Sequence, residues 1–175
     1  MRKTATMKND GGFTLVEVLV ASMILLVALM TLATMFPTGY KQIADAGRLT
    51  LATNGANHIL EDLGSVPFAN VRNLDNFDSN SAGSSPGADP ELAIARRWRY
   101  MLAGSGGGFS FTTAETAAWG AVTPFGGRAQ VQIRQVDNTA NACPNTATTC
   151  RAIVTITMQG LPGNVTLSTI LVRMF

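Results

Sequence analysis

Residues 11–20 read GGFTLVEVLV, and they open a run that stays apolar to residue 36 with one charged side chain, Glu17. As a helix rising ~1.5 Å per residue, residues 13–36 span roughly 36 Å, enough for a hydrocarbon core of ~30 Å. Arg2, Lys3 and Lys8 precede the run, against Asp10. That excess keeps the N-terminus in the cytoplasm and exports the chain beyond residue 36. A secretory signal has a shorter apolar stretch with a small-residue cleavage site after it. Here the small residues, Gly11 and Gly12, come before the run. A cut after Gly12 removes residues 1–12 as a basic leader and leaves the helix on the protein.

Such a cut gives Phe13 a free α-amine, with Glu17 four residues on. The helix dipole favours a carboxylate near an N-terminus. An amine–carboxylate pair in apolar surroundings is far better tolerated than either charge alone. The amine can be the chain's own or that of a neighbouring helix, and the second choice sets the axial register between helices. The plainer reading leaves Glu17 at headgroup level.

Residues 12–21, GFTLVEVLVA, resemble the class III signal of type IV prepilins and type II secretion pseudopilins. The resemblance implies that a prepilin peptidase cuts between Gly12 and Phe13 and methylates the new terminal Phe13. It also implies that Glu17 serves assembly by neutralising a neighbouring subunit's amine. The implied partners are that peptidase, other pilin or pseudopilin subunits, an inner-membrane assembly platform, and lipid before assembly. The implied fold is α+β, the pilin fold: a long N-terminal helix on a C-terminal antiparallel sheet of about four strands. The Val-rich signal and the later ILEDLGSVPF (59–68) resemble minor pilins of the V type, and the signal also resembles pseudopilins of the I type. The implied function is a minor pilin that primes or tips a pilus. The alternatives are a secretion pseudopilin and a tip module that binds surfaces or DNA.

Helical periodicity continues beyond the apolar run. Leu49, Ala52, Ala56, Ile59, Leu60 and Leu63 keep i, i+3, i+4 spacing, and polar residues fill most of the remaining positions. The spacing predicts an amphipathic second half over 37–64, stopped by Gly64 and Pro67. Pro37 removes an amide donor and crowds the carbonyl of Ala33, and Gly39 weakens the helix further. Either the helix kinks as it leaves the membrane, or it melts when subunits pack, which the resemblance favours.

Residues 65–175 are read as an exported loop and sheet domain. Residues 63–89, rich in Gly, Ser, Asn, Asp and Pro, read as a long loop with at most one short element. Its segment Asp75-Asn76-Phe77-Asp78-Ser79-Asn80 is a set of Asx turns or, alternatively, a calcium loop without EF-hand spacing. Ile94, Arg96, Trp98 and Tyr100 alternate, which predicts a strand near 96–102. Its three arginines form a solvated strand face or a nucleic-acid patch. The Gly-rich stretch 104–108 lacks the residues of a phosphate-binding loop and reads as a connection. Trp119, Pro124, Gly126 and Gly127 read as another. Three strands are predicted at 128–136, 151–159 and 165–175, the last two joined by a tight turn at 160–164.

Composition narrows the function classes. Apolar residues make up 46% of the chain and charged residues 14%, with a net charge of +2. That small excess sits in the leader, so the rest is balanced and offers no field for nucleic acid. Cys143 and Cys150 form a short-loop pair suited to a disulfide in an oxidising compartment, with free thiols or a metal site as alternatives. The only histidine is His58, and no nucleophile, acid–base pair or ligand cluster converges. Neither catalytic activity nor a cofactor or metal is expected.

Overall fold

A computed structural model describes residues 12–103, 109–121 and 126–173. It divides into two compact units, Met1–Ala44 and Asp45–Phe175, and helix α1 (Leu15–Ser65) contributes to both. The leader up to Gly11 and the connections at 104–108 and 122–125 lie outside the described residues.

In the first unit α1 is apolar on every side and buries none of its hydrophobic stretch. Regular helix continues through Pro37 and Gly39. Around the proline the hydroxyls of Thr34 and Thr38 donate to the carbonyls of Thr31 and Thr34 at 2.8 and 3.0 Å.

In the second unit α1 turns one stripe inward. Ala52, Gly55, Ala56, Ile59 and Leu63 are buried at helical spacing. Leu49 was expected in that stripe, yet it is 50% exposed. It lines a shallow groove with Leu161 and Val165 beside the last sheet turn, which does not close over it. The helix ends at Ser65, ahead of Pro67.

The sheet that receives this stripe has four antiparallel strands in the order β1 (Phe77–Asp78), β2 (Gly127–Arg134), β3 (Thr149–Met158) and β4 (Asn164–Val172). Alternation sets its inner face. Ala129, Val131 and Ile133 of β2 and Ala152, Val154 and Ile156 of β3 are fully buried. Val131 pairs with Val154, and Ile133 with Ala152, so the two rows meet in register. Each large aliphatic buried here contributes ~1.5–3 kcal/mol against exposure. This is an α+β architecture, with the later part of α1 packed on a four-stranded antiparallel sheet, as in the pilin fold.

Two expectations for the domain need correction. The segment read as a strand near 96–102 is helix α3 (Glu91–Ala103). Its buried residues are Glu91, Ala95, Trp98, Arg99 and Leu102, a spacing that only a helix can put on one face. The fourth strand is instead β1, within the stretch read as a loop. That stretch also holds helix α2 (Phe68–Val71) and 3-10 turns at Arg72–Leu74 and Ala82–Ser84. Helix α4 (Thr113–Trp119) was likewise not anticipated. Thr112 and Glu115 close its first turn as a capping box, their side chains each accepting from the other's amide. The Glu115 carboxylate also takes Arg96 at 2.5 and 2.8 Å. Arg96, and then the Thr112 amide, hold its pKa down to about 2.

Cys143 and Cys150 form a disulfide with a Cα–Cα distance of 5.8 Å. Both are buried, and the Cys143 amide donates to the Ile133 carbonyl at 3.0 Å. The bridge therefore fastens the 135–148 connection to the end of the core. Reduction is expected to lower the domain's stability by about 2–3 kcal/mol, the chain-entropy value for so short a loop. Urea denaturation of the full chain in detergent, with and without reductant, measures the change; coincident curves would exclude the role.

Candidate functional site

The site is built where α1 begins. Gly12, Phe13 and Thr14 precede the first helical residue, Leu15. The Thr14 hydroxyl accepts from the Glu17 amide at 3.3 Å, and the Thr14 carbonyl accepts from the amides of Glu17 and Val18 at 3.0 and 3.2 Å. Thr14 thus caps the helix and satisfies first-turn donors that otherwise lack partners. Sequence reading gave Thr14 no role, although Thr-x-x-Glu is a helix-start signature. The cap places Glu17 in the first turn, at the positive end of the helix dipole.

Gly12 and Phe13 are exposed. Phe13 is 83% exposed. A methyl group built on Gly12 would meet nothing within 4 Å, so the chain's own packing does not demand glycine there. Downstream, none of the apolar stretch of the helix is buried. Leu15, Val16, Leu19, Met23, Leu26 and Met30 are all exposed. Such a surface needs lipid or other helices to cover it.

Residues 7–33 match the family model described as the prokaryotic N-terminal methylation motif. The match takes in Gly12, Phe13, Glu17 and most of the apolar run. No curated protein and no solved structure matches the chain at a significant level. The methylation motif is consistent with a type IV pilin-like prepilin, a class of structural subunits. It implies cleavage by prepilin peptidase and assembly with other pilins. Motif and apolar helix together point to anchoring in the inner membrane.

The other residues of interest in the second unit hold the domain together. In the Asp75–Asn80 segment, Asp75 accepts from the Ile133 amide at 2.8 Å and Asn76 from Arg134 at 2.6 Å. Asp78 forms an ion pair with Arg128. The Arg128 hydrogen bond is the largest cause holding the Asp78 carboxyl below its usual value, against burial. These oxygens brace β1 against β2. Among the described residues no group of three His, Cys, Asp or Glu side chains could hold a metal ion.

The three arginines of α3 are each engaged. Arg96 pairs with Glu115. Arg97 lies 3.9 Å from Asp62 and 3.3 Å from His58. Arg99, only 3% exposed, donates to Ser85 and to the Ser81 carbonyl. Its guanidinium also covers the rings of Phe77 and Phe109 at 5.1 and 4.5 Å. Burial, then the charge of Arg96, pushes the Arg99 pKa down. Arg99 locks the 78–85 loop to α3, a role that sequence alternation concealed.

Proposed function

We propose that the chain is a minor pilin, a structural subunit that primes or tips a type IV pilus. It inserts in the inner membrane with its N-terminus in the cytoplasm and residues 65–175 in the periplasm. Prepilin peptidase cuts between Gly12 and Phe13 and methylates the Phe13 amine. The assembly platform then moves residues 13–36 from lipid into a core of packed subunit helices, where Glu17 meets a neighbour's amine. Pro37 and Gly39 are the place where the helix gives up regular structure on packing.

The observation that carries this reading is the unburied apolar half of α1 with Glu17 as its single charge. The Val-rich signal also supports a type II secretion pseudopilin, whose filament stays in the periplasm. Immunoblots separate the two: sheared surface pili should contain the minor pilin, whereas a pseudopilin should be confined to the envelope.

Mass spectrometry of the mature protein tests the processing. The expected chain starts at N-methylated Phe13. An intact Met1 terminus on membrane-resident protein would refute the cut, and with it the amine that Glu17 is proposed to meet.

A further inference from the structure

We propose that a cleft at the start of α3 binds a primary ammonium group, with Glu91 as its counter-charge. The cleft, of about 400 Å³, is lined by Asn73, Ser85, Pro86, Gly87, Ala88 and Glu91. Glu91 is the one charged residue in that lining. It opens α3 and is only 3% exposed. Its Oε1 is buried and has no hydrogen-bond partner among the described residues. The helix dipole accounts for a glutamate in the first turn of α3. It does not account for the burial, because a solvated carboxylate would serve the dipole too. A buried polar atom without a partner is costly, and more so on a group that carries charge.

The walls of the cleft are held in place without Glu91. Arg99 donates to the Ser85 hydroxyl, which donates in turn to the Ala82 carbonyl at 3.0 Å. The Leu92 amide donates to the Ala88 carbonyl at 3.0 Å, which ties the end of the loop to α3. Pro86 between them is buried. A ligand therefore meets a cleft already formed and has no loop to order.

The donor set selects the class of ligand. One carboxylate calls for one positive charge. Calcium takes about six to eight oxygens, and among the described residues no metal-holding group of acidic, His or Cys side chains gathers. A guanidinium fork engages both oxygens of a carboxylate, whereas the orphan here is the single atom Oε1. An ammonium is a compact point charge with several donors to share. Oε1 takes one of them. Asn73 and Ser85 supply an amide oxygen and a hydroxyl to the same cleft. Pro86 and Ala88 offer apolar surface to the alkyl stem. The group belongs to a lysine of another polypeptide or to a free alkylamine, which share this chemistry.

The test is a titration of the nitrogen-15-labelled full chain in detergent micelles, followed by the amide signals of Ser85, Ala88 and Leu92. The probes are Nα-acetyl-lysine methylamide and 1,4-diaminobutane. The controls, at equal ionic strength, are Nα-acetyl-arginine methylamide and calcium chloride. The amide signals should shift and saturate with the ammonium probes. Glu91→Gln should weaken binding about tenfold or more, the usual loss for a charge-assisted hydrogen bond. It should not lower the urea midpoint of the probe-free protein. Asn73→Ala, at an exposed position, should weaken binding less and leave the fold intact. Tighter binding of diaminobutane identifies a free amine, and tighter binding of the lysine probe identifies a polypeptide partner; both support the site. The proposal is overturned if neither probe saturates, if Glu91→Gln binds as tightly as the parent, if Glu91→Gln lowers the urea midpoint, or if calcium or the arginine probe binds more tightly than both ammonium probes.

Discussion

Glu17→Ala is expected to insert and be cleaved normally, yet to enter filaments about a hundredfold less well than the parent chain. The two halves of this expectation have separate causes. In the membrane the carboxylate is a burden of a few kcal/mol, so its removal helps insertion. The proposed cut falls between Gly12 and Phe13, which lie outside the helix that holds Glu17. In the proposed filament core, removing one member of a buried ion pair strands the other, at ~3–5 kcal/mol. Each ~1.4 kcal/mol is a factor of ten, so incorporation falls by two orders of magnitude or more. Glu17→Gln keeps the shape and loses the charge. It should fail almost as badly if the amine is the partner. Immunoblots of sheared filaments against membranes read the ratio. Normal incorporation of either variant would return Glu17 to a headgroup-level residue and remove the amine pairing.

The parts of the fold that were legible in sequence are those where one physical signal acts alone. The apolar run of α1 needs only length and hydropathy. The inner faces of β2 and β3 alternate cleanly, and Ala129, Val131, Ile133, Ala152, Val154 and Ile156 are buried as that alternation requires. The N-terminal methylation motif was legible because a short stretch of sequence carries chemistry that packing does not explain.

Failure came where two periodicities overlapped. In ARRWRYML the aromatic residues Trp98 and Tyr100 stand two apart, which mimics a strand. The buried set is Ala95, Trp98, Arg99 and Leu102, and it includes an arginine that hydropathy reads as surface. A better signal lay just upstream. Asp89, Pro90 and Glu91 form a helix-start signature, with proline where a missing amide costs nothing. The same kind of signal, Thr-x-x-Glu, marks both Thr14 in α1 and Thr112 in α4. Strand β1 could not be read from pattern at all. Only its two residues pair with β2, and polar side chains such as Asp75 and Ser79 hold it against that strand.

Trp98→Ala is expected to cost the exported domain about 4 kcal/mol, a large share of the ~5–15 kcal/mol that holds a domain folded. Trp98 is fully buried and meets the Phe77 ring edge-on at 5.4 Å. Its indole N–H donates to Asp62 at 2.8 Å, which ties α3 to α1. Truncation opens a cavity at the meeting of three elements and removes the neutral donor from Asp62, leaving His58 at 3.3 Å and Arg97 at 3.9 Å. Trp98→Phe separates the two losses. It restores most of the volume but no donor, so it should cost only about 1–2 kcal/mol. Urea denaturation of the full chain in detergent, monitored by circular dichroism, gives both values. The helical assignment of α3 depends on the outcome. A tryptophan on a half-solvated strand face loses little on truncation, so a cost below about 1 kcal/mol would mean that α3 does not dock through this ring. A large cost from Trp98→Ala with a small one from Trp98→Phe is what a buried ring between α1, α3 and β1 requires.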